Sequence, residues 1–384
     1  MSERKLKAWS NAGLIDETTV ARIRDWEEKN SRPLGLWAVI GLGALAIGLG
    51  LVSVVAGNWD AIPGFVRLSI HFSLIVALAG LLICQYDRAA ALNAYFHDAI
   101  LFIFGALGLT FFGHIGQVYQ TSSPLWQPLG LWLVLFTPLL LGFGRGWLAA
   151  AMWLAALCYT AYEHWDWYLD RNLIFDASTQ DAKSSPTLYM GLVSSLPAFV
   201  MILAALMRGR SHRPDFWRRL EQLGIMLVVL GVTGLQLAYG FDAGREAAQL
   251  EIAGVQAACL ALTAGAIHFA RPTRSGTATA SILAVGATTL LFALGVHTSS
   301  VGVGLLFMIF WSGIAGAALF AEWRIVFQIS VSVLALRLVI LSFELASDLL
   351  GSGLGLILSG MATLGIAWIA VDISRNYAPK GEAA

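Results

Sequence analysis

The chain has 384 residues, of which 58% are hydrophobic and only 12% charged, with zero formal net charge and a mean hydropathy of +0.72. Soluble domains carry about 25% charged residues, so a soluble globular enzyme is excluded, and the balanced charge points to no nucleic-acid partner. Three widely spaced cysteines in apolar runs, Cys84, Cys158 and Cys259, form neither a disulfide framework nor a metal motif.

Residues 1–33 are the one sizeable polar segment and predict a short helical hairpin. Leu6 and Trp9 share one helical face, Gly13 suits a left-handed helix stop, and Asp16 can cap a second helix. In that helix Val20, Ile23 and Trp26, with Leu14 before them, form an apolar stripe. Such a hairpin is too small for a large core, so it is expected to cap the membrane surface, self-associate or hold a protein partner.

Apolar runs of spanning length follow at 36–57, 65–84, 95–116, 125–142, 147–162, 188–207, 222–241, 251–270, 278–296, 301–320, 325–343 and 353–371. The expected fold class is all-α: a polytopic helical membrane domain of about twelve spans over 34–373, with a basic loop at 208–221 and a tail at 374–384. The first run starts near Leu36, after a charged segment, and reads as an uncleaved signal anchor.

Lys and Arg alternate between gaps. The N-terminal segment, every second gap and the tail hold 7, 1, 1, 5, 2, 1 and 2 of them. The intervening gaps hold 0, 0, 2, 1, 0 and 0, and Arg67 and Arg337 fall inside spans. Basic residues are retained in the cytosol during insertion, so both termini are expected to be cytoplasmic. The basic segment Arg208–Arg219 is expected to contact anionic membrane lipids.

Three elements carry a family resemblance: Trp9-x3-Gly13-Leu14-Ile15-Asp16, Ala56-Gly57-Asn58-Trp59-Asp60-Ala61-Ile62-Pro63 and Gly116-Gln117-Val118-Tyr119-Gln120. Together they resemble the bacterial predicted membrane proteins of the domain-of-unknown-function 2157 family, over roughly residues 1–145. Gly57 stands where the family has a second Ala. The resemblance implies a multi-pass protein of the bacterial inner membrane and supplies no catalytic residues.

Polar groups at membrane depth are costly, which makes them functional candidates. The alternation of basic gaps assigns Asn58, Asp60, Arg67, His71, His114, Gln117, Tyr119, Arg337 and Glu344 to the non-cytoplasmic side or half. Arg67 and His71 are four residues apart, hence on one helical face, with Asp60 a short turn away. His114 and Gln117 are three apart, and Arg337, Leu341 and Glu344 share a face. These residues are expected to line an outward-facing polar cavity if their spans meet. Glu163-His164-Trp165-Asp166-Trp167-Tyr168 reads as an interfacial aromatic helix, with metal binding as its competitor. Interior Pro138 and Pro197 can kink their spans.

No Walker loop, HExxH, Gly-x-Ser-x-Gly elbow or CxxC occurs, so no cofactor, ATP-driven transport or familiar hydrolase chemistry is expected. The leading expectation is a transporter-like protein for a small polar solute or protons. The alternative is a non-catalytic scaffold or sensor signalling through residues 1–33. A lipid- or glycan-modifying membrane enzyme is a third class, requiring Asp60 or Glu344 within proton-transfer reach of a histidine.

Overall fold

The computed structural model describes residues 6, 9–30, 46, 62–84, 94–175, 184–240, 247–296, 300–345 and 353–377. It divides into two compact units, residues 1–67 and 68–384. Every element among the described residues is helical.

In the first unit, a helical turn ends where Gly13 adopts φ +68°. The Gly13 N–H donates to the Ser10 carbonyl and the Leu14 N–H to the Trp9 carbonyl, both at 3.0 Å. This paired closure satisfies two carbonyls that a helix end would otherwise orphan. Helix α1, Glu17–Asn30, begins immediately afterwards. The Asp16 carboxylate accepts from the Thr19 N–H at 3.3 Å and from the Thr18 hydroxyl, so it is the N-cap. Leu6 is buried in this unit, whereas Trp9 and Leu14 are exposed. Leu14 therefore does not join the apolar stripe.

The Thr18 and Thr19 hydrogen bonds hold the Asp16 carboxyl down at about 2, below its ordinary 3.8. A depressed acid stabilises the folded state above its unfolded value and loses that contribution as pH falls through its folded value. Protection of the Thr19 amide against hydrogen exchange is thus expected to fall between pH 3.8 and about 2. The Asp16→Ala variant should show low protection without that pH step.

The second unit contains α2 Gly64–Cys84 (whose first turn belongs to unit one), α3 Ala94–Tyr119, α4 Trp126–Phe143, α5 Trp147–Phe175, α6 Ser184–Ser194 and α7 Leu196–Arg208. It continues with α8 Pro214–Gly240, α9 Ala247–Ala270, α10 Arg274–Val296, α11 Ser300–Phe320, α12 Arg324–Leu345 and α13 Gly353–Asn376. A helix lies at every expected interval from 65–84 onward. Of the expected span at 36–57, only Ala46 is among the described residues.

Among the described residues, eight helices are long and apolar enough to cross a membrane, or up to nine if a bent pair is one span. The expected twelve is therefore not reached. The eight are α2, α3, α4 and α8 through α12. The second half of α5 carries Glu163, His164, Asp166, Asp170 and Arg171, and the helix runs unbroken to Phe175 because no Gly or Pro interrupts it. α13 supplies only a shorter apolar stretch, Thr363–Ile373. The interval 188–207 is a broken pair, bent by 45° at Ser195 just before Pro197. Proline lacks the N–H that would continue the ladder and its ring clashes with the preceding turn. Pro138 lies within the continuous α4.

Two cores share the α7–α8 hairpin. Val200 and Ala204 of α7, with Phe216 and Leu220 of α8, pack with Leu101, Trp132, Phe136 and Leu140 of α3 and α4. Ala198, Met201, Val228 and Val232 on the same two helices pack with Leu260, Leu283 and Phe310 of α9, α10 and α11. Small residues set the spacing. A Cβ on Gly313 would lie 2.8 Å from Val285, and one on Gly286 would lie 3.3 Å from Phe310. Close backbone approach replaces the hydrophobic effect as a source of helix association in lipid.

Candidate functional site

The ionisable groups buried inside apolar helices fall into separate groups. The first joins α2 to α3. His71 Nδ1 lies 3.1 Å from His114 Nδ1, and the rings are 5.4 Å apart between centroids. His71 Nε2 is 3.0 Å from the Leu107 carbonyl. The Phe111 ring meets the His71 ring edge-on, and His114 is buried.

This geometry fixes the hydrogens. The Leu107 carbonyl can only accept, so His71 Nε2 carries a hydrogen and donates. In a neutral His71 ring, Nδ1 is then a bare acceptor, and the hydrogen between the rings belongs to His114 Nδ1. A further proton turns one ring into an imidazolium, and the hydrogen between the two Nδ1 atoms can sit on either. The Thr110 hydroxyl, 3.5 Å from His71 Nε2, donates to the Ala106 carbonyl. The two rings therefore share one hydrogen across the contact between α2 and α3.

Arg67 lies in the first turn of α2, where its backbone N–H donates to the Pro63 carbonyl at 3.2 Å. Gln117 and Tyr119 are exposed at the end of α3. There Gln120 adopts φ 51°, the Thr121 N–H donates to the Gly116 carbonyl at 3.0 Å, and the Gln120 side chain donates to the Gln117 carbonyl. The Gly-Gln-Val-Tyr-Gln element is thus a helix C-cap.

Arg337 is 6% exposed and packs on α11. Its guanidinium carbon is 5.9 Å from the centre of the Phe307 ring. A Cβ at Gly304 would come within 3.0 Å of its Nη2, so Gly304 makes room for the charge. α12 packs on α11 and α13, whereas α3 packs on α4 and α5. The structure brings His71 and His114 together and places Arg337 in a different contact. Asn58, Asp60 and the Glu344 side chain lie outside the described residues, and with them the reach test for an enzyme.

His164 sits in an aromatic cluster. Its Nδ1 is 2.6 Å from the Tyr189 hydroxyl, and its ring contacts those of Trp126 and Trp167. These contacts tie α5 to α4 and α6.

A network at the basic turns had no signal in local sequence spacing. The Glu221 carboxylate on α8, 4% exposed, accepts from Arg208 Nη1 at 3.3 Å and Arg271 Nη1 at 2.5 Å. Burial lowers the Arg271 guanidinium from its ordinary value, and the Glu221 charge opposes that shift. Arg213 donates to the Leu141 and Gly144 carbonyls, and Arg219 to the Arg145 carbonyl. Asp98 on α3, 2% exposed, accepts from the Arg145 N–H at 2.9 Å and the Ala149 N–H at 3.3 Å. It thereby caps the start of α5, where negative charge is favoured. A Cβ on Gly146 would lie 2.4 Å from that carboxylate.

Gln236 of α8 also escaped the sequence reading. It is 1% exposed, and neither atom of its amide has a hydrogen-bond partner among the described residues. A glutamine in the last turns of an apolar helix was the available signal. At the helix break, the Gln256 amide of α9 donates to the Ser194 hydroxyl at 2.5 Å.

An all-helical chain with several membrane-length apolar helices and buried ionisable groups defines a polytopic helical membrane protein. Residues 7–149 match the family described as Predicted membrane protein (DUF2157), the family that the three sequence elements resemble. That segment contains α1 to α4, and so both histidines of the pair. Comparison with curated proteins and with solved structures gives no match.

Proposed function

We propose that this is a transporter-like protein of the bacterial inner membrane that moves protons, or a small polar solute together with protons, by way of His71 and His114. The observation that carries this reading is the 3.1 Å contact between the two Nδ1 atoms within apolar helices. Histidine is the side chain whose ordinary titration spans neutral pH, and ionisable groups facing one another inside a membrane domain form proton relays. The proposed orientation has both termini in the cytoplasm. It rests on the basic residues of the turns around Arg145, Arg208–Arg219 and Arg271–Arg274, joined by the hydrogen bonds of Arg213, Arg219 and Glu221. On that orientation the histidine pair lies in the outer half and the network lies on the cytoplasmic side.

The test is proton flux into liposomes that contain the purified protein and an internal pH-sensitive dye, under an imposed potential. Flux above protein-free liposomes is expected, with a loss of about tenfold or more, roughly 1.4 kcal/mol in barrier height, in His71→Ala and in His114→Ala. Unchanged flux in both variants, at equal protein incorporation, would contradict the proposal.

The scaffold alternative draws on the exposed Trp9 and Leu14 of the hairpin. Deleting residues 2–30 separates the two readings, because the histidine route predicts that flux survives.

A further inference from the structure

A cavity of about 490 Å³ lies between α2, α3 and α4, at the ends of these helices that meet the basic turns. Its volume falls in the roughly 300–1,000 Å³ range of small-molecule sites. Leu82 and Ile83 of α2, Leu101 and Phe104 of α3, and Phe143 of α4 form apolar walls. Ile83 and Phe143 are exposed, which leaves the mouth open to the surroundings of the helix bundle. Among the described residues, one polar side chain lines it: His97.

His97 is 3% exposed. Its Nε2 is 3.2 Å from the Phe143 carbonyl, which can only accept, so Nε2 donates. In the neutral ring Nδ1 is then a bare acceptor, and this buried atom has no hydrogen-bond partner among the described residues. A buried acceptor without a partner costs free energy that a bound donor recovers. The neighbouring turn is also charged. Arg213 donates to the Leu141 and Gly144 carbonyls on either side of Phe143, and the Arg145 backbone N–H donates to the Asp98 carboxylate.

We propose that this cavity binds a long-chain fatty acid, its hydrocarbon tail along the apolar walls and its carboxyl group at His97. A carboxylic acid brings its own O–H to donate to Nδ1. If that hydrogen crosses to the ring, the carboxylate accepts it back as a hydrogen bond from an imidazolium, and its charge lies at the bundle end that carries Arg145 and Arg213 together with Asp98. One proton moves between oxygen and nitrogen, and no other bond changes. An alcohol satisfies Nδ1 and leaves the arginine charge unused. A phosphodiester lipid with a methyl headgroup carries the charge without an O–H to donate, and an ester offers neither.

The test uses the full chain in nanodiscs of a zwitterionic lipid, with tritiated palmitate as probe. One saturable site per protein is expected. Ala79→Phe, which fills the cavity from α2, and His97→Leu should each weaken binding about tenfold or more at an unchanged melting temperature. His97→Gln keeps one donor for Phe143 and one acceptor for the ligand, and should retain binding. Methyl palmitate, hexadecanol and dioleoyl phosphatidylmethanol should each compete about tenfold less well than palmitate. Undiminished binding in Ala79→Phe and His97→Leu would overturn the site. Equal competition by methyl palmitate, hexadecanol or phosphatidylmethanol would overturn the carboxyl assignment.

Discussion

Replacing Glu221 by Leu is expected to cost about 3–5 kcal/mol of stability, the range for breaking a buried ion pair from one side. The carboxylate is 4% exposed and binds two guanidiniums, Arg271 at 2.5 Å and Arg208 at 3.3 Å. Its removal leaves both cations with their desolvation and without the charge that offsets it. The three residues also join the end of α7, the start of α8 and the turn before α10, so the loss reaches both cores through the shared α7–α8 hairpin. The measurement is denaturant unfolding in detergent micelles. The double variant Glu221→Leu/Arg271→Leu should recover part of the loss, because it removes the more buried cation as well. A double variant no more stable than Glu221→Leu alone would show that the network does not act as a unit.

Gly108→Val is the second large effect, at about 3 kcal/mol, the upper part of the range for overpacking. A Cβ at Gly108 would lie 2.1 Å from Phe136 Cζ, so the ring must move. It has no free direction. Phe136 stacks on Trp132 at 5.1 Å and touches Phe104 at 5.3 Å. Trp132 is wholly buried and its indole N–H donates to the Gly105 carbonyl at 2.9 Å. The valine therefore has to push α3 away from α4. A lowered melting temperature is expected, with partial recovery in Gly108→Val/Phe136→Leu, where the smaller side chain gives the space back.

Much of the fold was legible because its signals are local. Hydropathy located the helices from residue 64 onward, and Gly13 and Asp16 announced a helix stop and start that the structure forms with the expected caps. The number of spans was less legible. Hydropathy alone treats α5 as a span of 147–162, yet the helix continues through its charged half to Phe175. It also merges α6 and α7, which part at Ser195.

The candidate site was legible in part. His71 and His114 were singled out separately, each at a face of its helix, and the structure joins them across α2 and α3. Arg337 was grouped with them because sequence gives depth in the membrane without giving neighbours. Its described contacts, Gly304 and Phe307, belong to the preceding helix. The partners of Asp98 and His97 were not legible for a related reason. Arg145, Ala149 and Phe143 are 46 to 51 residues away, and no spacing rule reaches that far.

The most direct measurement of the central claim is nitrogen-15 NMR of histidine-labelled protein in bilayers at a pH where both rings are neutral. The account predicts His71 as the Nε2–H tautomer and His114 as the Nδ1–H tautomer, with a through-hydrogen-bond coupling between the two Nδ1 nuclei that disappears in His71→Phe. Two Nε2–H tautomers with no coupling between the rings would contradict it.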